Sequence, residues 1–191
     1  MINMFYTEKE YNTLKNKYGG YSSWAIWDEE NPKNVSIISS SVSELKPNYI
    51  FIGLNISEQL KSESWINFHG GKHDRKLQAI CNKTKLRGSY LTDLFKDVVA
   101  VNSSSLSKLS DEIIQKNVKF FNQEMKDIKI MENSVFVILG TESSLVSKYF
   151  VKYFLKYYKN KVINHYHYSY YGVSDEKWLI GLRNKIGFKN L

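Results

Sequence analysis

With one cysteine, two prolines and no apolar stretch approaching a membrane span, the 191-residue sequence excludes several architectures before any motif is read. Cys81 alone cannot form an intramolecular disulfide, so nothing calls for an oxidising compartment. It is followed by Asn82 and Lys83 at an expected helix end, with no histidine beside it in sequence, and reads as a bystander. Pro32 and Pro47 both fall early, which leaves the second half free of helix and strand breakers. No repeat or low-complexity tract divides the chain. The patterns GxxxxGK[ST], GxGxxG and GxSxG are missing, so nothing supports a P-loop, a dinucleotide fold or a serine-hydrolase elbow. The N-terminal MINMFYTEKEYNTLKNKY contains acidic residues and no long apolar stretch, and predicts neither a signal nor a transit peptide. The expectation is a single soluble domain over residues 1–191, cytoplasmic and monomeric, with no membrane association.

What is present is a basic, aromatic chain. Twenty-seven Lys and Arg stand against 19 acidic residues, giving a net charge of +8, and 42% of residues are hydrophobic, enough for a sizeable core. The excess of positive charge favours anionic partners such as nucleic acid, although an ordinary solvated surface explains it equally well. Tyr49–Leu54 and Val135–Leu139 are short, continuously apolar and β-branched, the pattern of strands covered on both faces. Ser89–Phe95 and Lys161–Tyr168 are two further candidate strands. Helical spacing of Ile113, Ile114, Val118, Phe121, Met125 and Ile128 predicts a helix over 111–130 behind a cap at Ser110 or Asp111. A second helix over 143–158 carries Leu145, Val146, Tyr149, Phe150, Tyr153, Phe154 and Tyr157, and both stripes read as core. Alternating strands and helices predict an α/β fold, three-layer α-β-α around a central, mostly parallel four-stranded sheet, with polar clusters at the carboxyl ends of its strands.

Three such clusters carry possible chemistry. Gly53-Leu54-Asn55 follows the first buried strand, where the glycine permits a tight turn and Asn55 either presents an amide or satisfies its own backbone. Asn67-Phe-His-Gly-Gly-Lys-His-Asp-Arg75 is a polar surface loop of the kind that carries function. Its His69 and His73 are four apart, but Gly70 and Gly71 between them oppose a helical metal pair; with no HExxH and no cysteine cluster, neither metal nor cofactor is expected. In Asn164-His-Tyr-His-Tyr-Ser-Tyr-Tyr-Gly172, strand periodicity would put His165 and His167 on one face and Tyr166 and Tyr168 on the other, unless both histidines are merely satisfied at a strand end.

Taken in order, these segments resemble the uracil-DNA glycosylase superfamily. Gly53-Leu-Asn55 looks like the first motif in its GINPG form, with Ile56 where the family has proline. Phe68 stands where the family has an aromatic that stacks on the flipped base. Tyr90-Leu-Thr-Asp-Leu-Phe-Lys96 is similar to YxTNxxK with Asp93 in place of asparagine, and His167-Tyr-Ser169 is similar to HPS without the proline. Gly140-Thr141 takes the remaining strand-end position. The resemblance covers residues 48–172 and makes 1–47 an N-terminal elaboration with no assigned role. It implies a DNA glycosylase excising uracil or a modified or deaminated pyrimidine, with Asn55 and His167 catalytic and His165 as second choice for the donor. It also implies base binding by Gly53, Leu54, Phe68 and Asp93, and contacts to single- or double-stranded DNA from Ser57, Lys72, Arg75, Ser169 and Tyr170.

An ionised aspartate only accepts hydrogen bonds, so Asp93 favours a base that presents an amino group, such as a cytosine derivative. Alternatively Asp93 is a structural cap facing Lys96 or Arg87. Two other functions stay open: a nucleic-acid-binding module without catalysis, and an unrelated small α/β hydrolase in which His69, His73, Asp74 and His167 gather around a substrate.

Overall fold

The computed structural model describes residues 5–56, 64–71, 73–98 and 103–187. The chain runs α1 (Glu8–Tyr18), β1 (Ser23–Trp24), α2 (Ser36–Ser40), β2 (Tyr49–Asn55), α3 (Arg75–Cys81), β3 (Tyr90–Phe95), α4 (Asp111–Asp127), β4 (Val135–Leu139), α5 (Leu145–Tyr149), β5 (Lys161–His165) and α6 (Asp175–Ile186). No helix among the described residues is long and apolar enough to cross a membrane.

Hydroxyl caps start four of the helices among the described residues. Thr7 and Glu10 form a reciprocal capping box on α1, and Ser110, Ser144 and Ser174 each accept a first-turn amide of α4, α5 and α6. Beyond α5 the helix widens into a π turn over Phe150–Phe154 and tightens again over Leu155–Tyr157. This shift of period carries Tyr157 out to 53% exposure, although it continues the expected apolar stripe. Ile113 also leaves the core, because it lies in the first turn of α4 ahead of the sheet contact made by Ile114, Val118, Phe121 and Met125.

The sheet has the order β1-β3-β2-β4-β5 and five strands, which corrects the expected four. Three pairings are parallel; β1 pairs antiparallel with β3. Two residues long, β1 is too short to leave a periodic signal, and it lies in the segment read as an elaboration. That segment is built into the core, with Tyr6, Trp24 and Ile26 fully buried. Alternate residues of each parallel strand face opposite ways. Ile50, Ile52, Phe136 and Ile138 pack with α1, α4 and α5 on one side, whereas Phe51, Val137 and Leu139 pack with α3 and α6 on the other.

The expected strand Lys161–Tyr168 stops at His165. Its neighbour β4 ends at Leu139 and offers only the Gly140–His165 bridge beyond, so the later residues have no ladder to join. His165 and His167 therefore do not share a strand face.

Candidate functional site

A cavity of about 650 Å³ opens at the carboxyl ends of β2, β3, β4 and β5, the place where an open parallel sheet leaves strand-end loops free to form a site. Asn55, Phe68, Asp93 and His167 all line it, together with Leu54, Asn67, Asp74, Tyr168, Ser169 and Tyr170. Four chain segments thus converge on one space.

Asp93 is paired in register with Gly53 across β2 and β3. Its Oδ2 accepts from Asn67 Nδ2 at 2.9 Å, and Oδ1 has no hydrogen-bond partner among the described residues. Burial pushes its carboxyl up to about 6, against the opposing pull of Asn67 and Lys96. The Lys96 ammonium ion-pairs with the buried Glu124 at 2.7 Å and also donates to the Asp93 main-chain oxygen and Thr92 Oγ1. Arg87 pairs with Glu44. Among the described residues neither cation ion-pairs or hydrogen-bonds with the Asp93 carboxylate, on which Lys96 acts only through its charge.

Phe68 adopts a left-handed backbone, φ 66°, unusual for an aromatic residue. Asn67 Oδ1 accepts from the Phe68 amide, so one asparagine fixes both the turn that carries the ring and the carboxylate of Asp93. The ring centroid lies 6.3 Å from that of Tyr168.

His167 Nδ1 receives the Ser169 main-chain N–H at 3.2 Å and lies 2.7 Å from Ser169 Oγ. Accepting that amide leaves Nδ1 without a proton and places the hydrogen of the neutral ring on Nε2. Burial, with His73 nearby, lowers its pKa to about 4, so the ring is a neutral donor at physiological pH. His165 is not its substitute: buried beneath α6, it sets Nε2 2.9 Å from the Trp178 carbonyl.

Asn55 directs its amide nitrogen to the carbonyls of Ile56, at 2.8 Å, and Val98, at 3.3 Å. Gly53 is buried beside Asp93 and the Phe68 ring, and Leu54 lines the cavity. Ser169 and Tyr170 are at the cavity; Arg75 is exposed on an adjoining depression with Lys76 and Lys83. Ser57 and Lys72 lie outside the described residues. His69 belongs to the core, stacked on Trp27 at 4.7 Å, so it cannot join His73, Asp74 and His167 around a substrate. Among the described residues no three His, Cys, Asp or Glu side chains gather as a metal site would require.

Sequence reading passed over Asn67 and Tyr168 and gave Asp74 no part in the leading hypothesis. Asp74 stands at the N-cap position of α3 yet makes no cap bond; its Oδ2 accepts from Gly71 N–H at 2.7 Å. Buried at the cavity wall, its carboxyl is pushed up to about 7. In the sequence Asp74 is one polar residue of a surface loop, which hides this arrangement. Compared with known proteins, the chain matches no family model, no curated protein and no solved structure.

Proposed function

We propose that the protein is a DNA glycosylase of the uracil-DNA glycosylase kind, hydrolysing the N-glycosidic bond of a single everted pyrimidine. The observation that carries this reading is the convergence of Asn55, Phe68, Asp93 and His167 on one cavity at the strand ends. Taking a base out of the stack costs a few kcal/mol and requires a snug slot with an aromatic platform and edge-reading groups. Phe68 supplies the platform and Asp93 Oδ1 the acceptor. As the bond breaks, negative charge grows on the departing base, and the Nε2–H of neutral His167 donates to its ring oxygen without the need to lose a proton. The +8 charge attracts the phosphate backbone. Because Oδ1 of an ionised Asp93 only accepts, the favoured base presents an amino group, as cytosine derivatives do.

Single-turnover release of free base, measured with enzyme in excess over oligonucleotides carrying one uracil or one cytosine derivative, tests this. The expected result is release from the wild type and its loss in His167→Ala and Phe68→Ala. No release from any of these substrates overturns the reading, and release of uracil alone overturns the role given to Asp93. One observation favours a binding module without hydrolysis: Asn55 commits its amide nitrogen to two backbone carbonyls. Tight binding of an abasic-site duplex without base release is the result that reading expects.

A further inference from the structure

Resting on the glycosylase reading, we infer that Asp74 is the catalytic carboxylate of the site, taking the proton of the water that attacks the sugar. A carboxamide at position 55 is a poor base, and its nitrogen is already engaged by Ile56 and Val98. Among the described residues two carboxylates line the cavity, Asp74 and Asp93, and both raise the pKa of the partly buried Tyr168 hydroxyl, so Tyr168 lies near each of them. They are held differently. Asp93 is fixed within β3 between Asn67 and Gly53, as suits an edge-reading group.

Asp74 instead gives up the helix cap that its position offers and folds back onto the Gly71 amide, with no ion pair among the described residues. Of the described cations that follow it in the chain, Arg75 is exposed and Lys76 pairs with Asp175 at 3.1 Å. Among the described residues the titratable groups that share the cavity with Asp74 are Asp93, Tyr166, His167, Tyr168, Tyr170 and the neighbouring His73, whose Nε2 lies 2.7 Å from the Tyr171 hydroxyl. An unpaired buried carboxylate is costly in a fold and useful in a site where positive charge develops on a sugar.

In the step itself, the water oxygen bonds to C1′ of the deoxyribose while the C1′–N bond breaks. The electron pair of that bond leaves on the base, whose oxygen accepts from His167 Nε2–H. The water proton passes to an Asp74 oxygen, and the products are the free base, protonated from solvent, and an abasic sugar.

The test compares wild type, Asp74→Asn and Asp74→Glu in single-turnover base release across pH 5.5–9, beside affinity for an abasic-site duplex and thermal unfolding. The expected wild-type rate rises with pH through about 7, following ionisation of Asp74. Asp74→Asn loses this rise and about 10²–10⁴-fold of the rate while duplex affinity holds, and Asp74→Glu recovers part of it. Release by Asp74→Asn within threefold of wild type overturns the inference and leaves the glycosylase reading standing. Parallel loss of release and duplex affinity makes Asp74 a binding group and also overturns it. If Asp74→Asn does not fold, a wild-type profile without a rise near pH 7 has the same force. A wild type that releases no base removes both.

Discussion

The carboxylate of Asp93 occupies the space that any side chain at Gly53 would need: a Cβ at Gly53 would stand 2.1 Å from Asp93 Oδ1 and 3.5 Å from the Phe68 ring. The close approach comes from parallel register, which sets the two residues side by side on β2 and β3. Gly53→Ala must displace Asp93, which Asn67 restrains from the other side. It is expected to lower stability by about 1–3 kcal/mol and base release by about 10²-fold, read by thermal unfolding and single-turnover assay.

His167 is held neutral, so it contributes no ionisation near pH 6.5. Its folded pKa of about 4 places the loss of the donor's neutral form far below the working range. Nitrogen NMR of the ring should show the proton on Nε2 from pH 5.5 to 8. His167→Ala should lower single-turnover release by about 10²–10³-fold, the usual consequence of deleting one donor to a developing anion. A ring that titrates near 6.5 would contradict the burial argument.

Asp74 makes stability depend on pH in the direction opposite to that of a salt-bridged carboxylate. Its folded pKa of about 7 exceeds the ordinary 3.8, so the folded state binds a proton that the unfolded chain has released between those values. The stability associated with that proton is complete below about pH 4 and is lost as pH rises through about 7. Asp74→Asn should therefore unfold at a higher temperature than wild type at pH 8, with a ceiling of about 4 kcal/mol, and show little difference at pH 4.

Glu124 is the buried anchor beneath β3. Its Oε1 accepts from Ser22 Oγ, Tyr90 OH and Thr92 Oγ1, and it forms the ion pair with Lys96. Removing one partner of a buried pair strands the other, so Glu124→Ala should cost about 3–5 kcal/mol in denaturant unfolding. Replacing Lys96 and Glu124 together by apolar residues should cost less than the sum of the single changes.

The central strands and the caps were legible because their signals are local. A run such as Val135–Leu139 can hardly be anything but a doubly covered strand, and Ser110 opens α4 where expected. The convergence of Asn55, Phe68, Asp93 and His167 was accessible only through their order along the chain. Long-range pairings were not legible. Nothing in the spelling of Asn67 shows that it binds a carboxylate 26 residues away, and Glu124 looks like any polar residue of an amphipathic helix. Alternation puts His165 and His167 on one face only if the strand continues past the point where β4 supplies a ladder, and it does not.

The antiparallel pairing of Ser23 and Trp24 with Leu91 and Tyr90 means that the segment ahead of residue 48 acts as a seam. A version starting at residue 48 would leave the outer backbone of β3 bare and strip Trp24 from the Tyr90 ring, which it meets edge-on at 4.7 Å. Open strand margins recruit other chains, so such a truncation should come out as aggregate rather than as a smaller working unit.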